Sequence, residues 1–253
     1  MATVSLQNLY KTYPGGKTGE VTAVRDFTLE ITDREFVVFV GPSGCGKSTL
    51  LRLLAGLDQP DEGEVLGRPA SIGLVFQEAN LLEWRNALEN CQLPLEIRGE
   101  LSPAEMKHRC QEVLELCGLR DAMNLRPSQM SGGMKMRCAL ARALVTEPGL
   151  LLLDEPFAAL DEIVRGRLGE ELVGIVRRRH APSLLVTHSL SEACFLADRV
   201  ILMAPSPGRI IHDQSLDFGP RSPELKSSLP FLTVLADLQK RLRQALPLEP
   251  RPA

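Results

Sequence analysis

The sequence predicts an α/β protein whose mainly parallel sheet is interrupted by a helical insert, and three features predict it. Residues 36–40 (FVVFV) and 150–153 (LLLL) are short, wholly apolar runs of the kind that form strands buried on both faces. The first of them runs into a glycine-rich loop and then a helix. Residues from about 86 to 146 read as mostly helical, and after 147 strand and helix alternate again.

The first forty residues read as strands. In residues 21–31, Phe27, Leu29 and Ile31 alternate with Thr28 and Glu30, and Pro14-Gly15-Gly16 marks a turn before them. A helix is expected over 47–55 and a strand over 72–76. One helix of the middle segment is well signalled. Ser102 is its candidate N-cap, Pro103 its first residue, and Glu105 completes a capping box. Met106, Cys110, Val113, Leu114 and Cys117 then form an apolar stripe, and Gly118 is placed to end it in the left-handed conformation. Beyond the insert, helices are expected over 161–178 and 189–197, and strands over 183–187 and 199–203. The tail from 216 begins with proline-containing stretches and ends in a helix over 230–245, amphipathic through Leu232, Leu235, Leu238 and Leu242.

Composition excludes several classes. The 253 residues are 44% hydrophobic, enough for a large core. A net charge of -3 lacks the basic excess of a duplex-binding protein, and 4% aromatics leaves few stacking platforms, so no nucleic-acid partner is expected. The six cysteines, at 45, 91, 110, 117, 138 and 194, form no zinc or C-x-x-C pattern. They read as buried hydrophobes in a reducing, cytosolic compartment. No signal peptide and no membrane span is read from the apolar runs. The basic run Arg177-Arg178-Arg179-His180 suits the end of a helix.

Three motifs carry chemistry. Gly41-Pro42-Ser43-Gly44-Cys45-Gly46-Lys47-Ser48, followed by Thr49, fits G-x-x-x-x-G-K-[ST] between a buried strand and a helix. Such a loop turns its N–H groups and the positive end of the helix toward phosphate oxygens. Lys47 is expected on the β- and γ-phosphates and Ser48 on Mg²⁺. Second, the 150–153 strand ends at Asp154 and Glu155. Asp154 is the natural metal partner, and Glu155 is placed to polarise an attacking water. Third, Ser131-Gly132-Gly133 opens a helix over 134–145, another anion-facing N-terminus or a plain loop.

In this order, with a glutamine, an A-L-D triplet and a histidine between and after them, the motifs resemble the ATP-binding cassette of ABC transporters over about residues 4–213. The resemblance implies a P-loop nucleotide-binding core with an antiparallel β part (1–78 and 147–215), a helical signature subdomain (79–146) and a C-terminal helical tail (216–253). It implies that Tyr13 stacks on adenine, that Gln77 touches Mg²⁺ and links the site to a membrane partner, and that His188 contacts the γ-phosphate. Met130-Ser131-Gly132-Gly133-Met134 looks like the family signature, with Met in place of its usual Leu. Ser131, Gly132 and Gly133 would serve the ATP of a second, identical cassette, and Ala159-Leu160-Asp161 would cross to that subunit. Asp161 is also a good N-cap in its own right.

Finer similarity, in residues 76–84, in Leu160-Asp161-Glu162 with Arg165, and in residues 197–203 with 207–210, resembles the bacterial nitrate, sulfonate and taurine import group. That implies multi-span permease subunits, indirectly a substrate-binding protein, and a peripheral place on the cytoplasmic face of the bacterial inner membrane. Trp84, the only tryptophan, would lie near the permease groove. A soluble ABC protein of repair or translation is the alternative, but such chains carry a long coiled coil or two cassettes. A non-hydrolysing scaffold is the other, and the presence of Lys47, Glu155 and His188 speaks against it.

Overall fold

A computed structural model of the chain describes residues 2–15, 19–158, 160–179, 181–205 and 207–245. Gly16, Ala159, His180 and residues 246–253 of the tail therefore lie outside the described residues. The strands are β1 (Ala2–Pro14), β2 (Glu20–Thr32), β3 (Phe36–Val40), β4 (Glu62–Leu66), β5 (Ile72–Val75), β6 (Leu150–Asp154), β7 (Ser183–Thr187), β8 (Arg199–Met203) and β9 (Ile210–Ser215). The helices are α1 (Lys47–Ala55), α2 (Ala87–Arg98), α3 (Pro103–Leu116), α4 (Gly132–Leu144), α5 (Glu162–Arg179), α6 (Leu190–Leu196) and α7 (Leu229–Ala245). The chain divides into two compact units, residues 1–68 with 185–253 and residues 69–184, and the division falls inside β7.

The first unit holds a three-stranded antiparallel sheet in the order β2-β1-β4. It also holds β3 paired in parallel with β8, which takes β9 antiparallel on its other edge. All five residues of β3 are buried, as their unbroken apolar run requires. In β2 the expected alternation holds from Phe27 onward and fails at Arg25 and Asp26, both exposed. There the ladder shifts register, from Leu9 opposite Phe27 to Lys11 opposite Val24, and Asp26 takes φ 48°. The extra residue is on β2, and a bulge bends the strand that carries it, here the stretch of β2 that pairs with the end of β1 bearing Lys11 and Tyr13. The tail helix α7 buries Phe231 and Leu238 and packs on α6. Phe231 meets Phe218 with ring centroids 5.7 Å apart, and Lys226 stands 4.2 Å from the Phe195 ring centroid.

In the second unit β5 and β6 pair in parallel, Ile72 opposite Leu150 through Val75 opposite Leu153. Helices α2, α3 and α4 pack on one another. Helix α3 has the predicted ends: Ser102 and Glu105 form a reciprocal capping box, and Gly118 takes φ 69°. Helix α4 starts two residues earlier than its sequence suggests. Ser131 is its N-cap, accepting from the Met134 N–H, so Gly132 and Gly133 belong to the first turn. The six cysteines are free and buried, and no helix among the described residues is long and apolar enough to cross a membrane.

Asn90 is a fully buried polar residue on α2 that organises the loop before it. Its Oδ1 accepts the Leu82 N–H at 2.8 Å, and its amide donates to the carbonyls of Leu82, Arg85 and Asn86 at 3.0–3.2 Å. Asn90→Ala strips these partners in a buried setting and is expected to destabilise the protein by about 2 kcal/mol or more. Urea unfolding measures this, with Trp84 in the affected loop as the fluorescent reporter.

Candidate functional site

In the first unit the phosphate-loop segment lies between the buried β3 and α1. Gly46 caps α1 at φ 90°, the left-handed region, and the Leu50 N–H donates to its carbonyl at 3.0 Å. A Cβ at Gly46 would lie 2.5 Å from the Ala23 carbonyl oxygen, and one at Gly208 would lie 2.3 Å from the Cys45 carbonyl oxygen. Gly208 in turn exchanges backbone hydrogen bonds with β2, its N–H donating to Ala23 and its carbonyl accepting from Arg25. The back of the loop is thus closed by backbone. Its front residues Ser43, Gly44 and Ser48 are exposed, Pro42 and Thr49 are half-buried, and Cys45 is buried. Lys47 is 5% exposed, and its ammonium turns back into the loop, donating to the carbonyls of Gly41 at 2.8 Å and Pro42 at 3.0 Å.

Tyr13, near the end of β1, is half-buried. Its hydroxyl donates to Asp58 Oδ2 at 2.6 Å, and Lys11 Nζ lies 3.1 Å from the other Asp58 oxygen. Burial, with the hydrogen bond to Asp58 added, pushes the Tyr13 phenol up, so it stays a donor. The hydrogen bond from Tyr13, joined by those from Lys11 and the Gln59 N–H, holds the Asp58 carboxyl below the usual carboxylate range. His188, exposed, comes directly after β7. The turn that presents it is tied on both sides: the Ser189 N–H donates to Thr187 Oγ1 at 3.0 Å, Thr187 Oγ1 donates to Glu192, and the Glu192 N–H donates to Ser189 Oγ at 3.3 Å.

In the second unit Asp154 and Glu155 stand half-buried at the end of β6. Glu155 takes φ 42°, uncommon for a residue with a side chain, and its carbonyl accepts the Ala158 N–H at 3.1 Å. Asp161 caps α5, its Oδ1 accepting the Val164 N–H at 2.9 Å. Gln77 is exposed two residues beyond β5. The strand ends at Val75, one residue short of the expected Phe76. Ser131 and Gly132 are exposed at the start of α4. A Cβ on Gly133 would lie 3.2 Å from Val164, and one on Gly132 would lie 3.3 Å from Leu160. Trp84 is 71% exposed.

The predicted residues thus lie near the ends of elements or in the loops between them. Four that support them carry no motif: Lys11, Asp58, Asn90 and Arg142. Arg142 donates to the carbonyls of Ala79 and Asn80, both at 2.8 Å, and so fixes the backbone just after Gln77. The only sequence signal for it is a cation amid the apolar run of α4, between Ala139-Leu140-Ala141 and Ala143-Leu144.

The family model described as ABC transporter matches residues 24–158. The taurine import ATP-binding protein of Pseudomonas aeruginosa is 42% identical over 231 residues, 88% of this chain and 86% of that protein. An aliphatic sulfonates import ATP-binding protein of Burkholderia cenocepacia is 42% identical over 206 residues, 79% of this chain and 74% of that protein. A solved dimeric ATP-binding cassette in a post-hydrolysis state, bound to ADP and Pi, aligns with a TM-score of 0.75 at 34% identity, over 85% of this chain and 100% of that one. With the loop of Gly41–Ser48, the carboxylates that end β6 and a family match over more than half its length, this chain belongs to the ABC transporter family.

Proposed function

We propose that this chain is the ATP-hydrolysing subunit of an importer for taurine, another sulfonate, nitrate or a similar small organic molecule. It works as a pair of identical cassettes beneath multi-span permease subunits, on the cytoplasmic face of the membrane, with a substrate-binding protein feeding the permease. The observation that carries the ATPase reading is Lys47, a nearly buried ammonium held by two carbonyls of its own glycine loop. Neutral carbonyls are weaker acceptors than phosphate oxygens, so a nucleotide draws Lys47 from Gly41 and Pro42 onto its β- and γ-phosphates. The import reading and its substrate class are supported by the names of the taurine and sulfonate relatives, and the pairing by the dimeric cassette.

The residues then take these roles. The backbone of residues 41–46 and the start of α1, with Ser48 and Thr49, hold the phosphates, and Tyr13 stacks on the adenine. Glu155 orients or deprotonates the attacking water, and His188 contacts the γ-phosphate. Ser131, Gly132 and Gly133 serve the nucleotide of the second copy. Residues 79–146 act as the signature subdomain, and Gln77 passes the state of the nucleotide toward the permease. Ser48, Gln77 and Asp154 offer only oxygen donors, the set a hard cation such as Mg²⁺ prefers. When bound, Mg²⁺ would offset the negative charge of the phosphates.

Glu155→Gln is expected to lower ATP turnover by about 10²–10⁴-fold with nucleotide binding retained, measured by phosphate release and by calorimetry. Turnover equal to the parent's assigns the base elsewhere. Chelation of divalent cations with EDTA is expected to abolish turnover, and Mg²⁺ to restore it. Purification from native membranes in mild detergent is expected to bring down a multi-span membrane protein in about equal amount. A ribosomal or DNA-associated partner in its place overturns the transporter reading and leaves the ATPase chemistry standing.

A further inference from the structure

The ring of Tyr13 is fixed at two points by charged residues outside every motif. Its hydroxyl donates to Asp58 Oδ2 at 2.6 Å. Asp58 Oδ1 lies 3.1 Å from Lys11 Nζ and accepts the Gln59 N–H at 2.8 Å. Lys11 Nζ also donates to the Gln59 carbonyl at 2.7 Å, lies 3.2 Å from Asp61 Oδ1, and stands over the Tyr13 ring, 5.3 Å from its centroid. Asp61 is itself anchored, accepting the Thr12 N–H at 2.6 Å. Lys11 and Tyr13 are two residues apart on β1 and share a face of it, while residues 58–61 lie between α1 and β4. Thr49, two residues beyond Lys47 on α1, is close enough to act on the Tyr13 phenol, in the sense opposite to Asp58. The ring is therefore held beside the helix whose start cradles phosphate.

The cluster is more than a surface ion pair. Ion pairs at partly exposed positions contribute little to stability, and Asp58 and Asp61 side chains are 26% and 45% exposed. What the contacts do is remove the rotamer freedom of one aromatic ring. A ring that is free must lose that freedom when a base stacks on it, and a ring already fixed does not. An ammonium over one face of a ring draws electron density from the other, which suits stacking on an electron-rich purine.

We propose that Asp58 and Lys11 are positioning residues of the nucleotide site, holding Tyr13 as a preformed platform for the purine base. This rests on the stacking role given to Tyr13 under the proposed function. The test uses the full chain and two ligands, ATP and tripolyphosphate, which has the phosphates and no base. Calorimetry gives both Kd values for the parent, Tyr13→Ala, Asp58→Ala, Asp58→Asn, Lys11→Met and Lys11→Arg, and thermal midpoints verify that each variant is folded. Tyr13→Ala is expected to raise the ATP Kd about tenfold. Asp58→Ala and Lys11→Met are each expected to raise it about three- to tenfold, with tripolyphosphate binding changed less than about twofold. Lys11→Arg restores the parent value, and Asp58→Ala adds less than about twofold when Tyr13 is already Ala. An ATP Kd that rises in Tyr13→Ala but stays at the parent value in Asp58→Ala, Asp58→Asn and Lys11→Met overturns the inference and leaves the stacking role intact. An equal loss of ATP and tripolyphosphate overturns it too, because the cluster would then act on the phosphate loop. An ATP Kd unchanged in Tyr13→Ala removes the stacking role itself, and the inference with it.

Discussion

A loop that binds phosphate through its backbone must be bare in front and closed behind. The segment from Gly41 to Ser48 is built in that way. The close approach of Gly46 to the Ala23 carbonyl and of Gly208 to the Cys45 carbonyl leaves no room for a Cβ at either glycine. Gly208 lies on the turn between β8 and β9, so the loop depends on a segment far away in the chain. The buried β3 and the start of α1 set the two ends of the loop, and Lys47 fills its interior with a charge that two carbonyls satisfy. Burying an ammonium without such partners carries a heavy desolvation cost.

The second unit repeats the logic with a different device. The candidate site residues stand at or just beyond strand ends, where the ladder stops and the backbone is free to turn. Asp154 and Glu155 end β6, and Gln77 comes after β5. These stretches are backed by rigid contacts. Arg142 pins the backbone after Gln77, Asn90 pins the loop that carries Trp84, and Asp161 caps the helix after Glu155. Such second contacts hold the geometry without touching a ligand, and losing them loosens a site that still has all its motif residues.

How far the sequence discloses this depends on where the partner of each residue lies. The ends of α3 are legible because Ser102, Pro103, Glu105 and Gly118 act on neighbours three or four residues away. β3 and β6 are legible because burial on both faces leaves a continuous apolar run. Helix α2 is not singled out within its helical stretch, since Pro94 interrupts its pattern. β4 and β9 are not singled out in the sequence, being short and polar, and they pair with β1 and β8. In the site, the glycine loop stands out by its spacing, and the paired carboxylates take their meaning from the glycine loop upstream of them. Asp58 does not stand out, because its meaning lies 45 residues away in Tyr13. The capping serine of α4 is the intermediate case: the motif is visible in the sequence, yet only the structure puts its glycines inside the helix.

Glu155 sits at φ 42°, a conformation that glycine or asparagine adopts with ease and glutamate adopts only under constraint. The strain is on the order of 1 kcal/mol, and it is borne at the position where the chain turns out of β6. Selection for stability alone would therefore push this position toward glycine or asparagine and away from a carboxylate. Replacing Glu155 by glycine would relieve that strain and remove the carboxylate in one step, so stability gained at this position comes only with loss of the side chain.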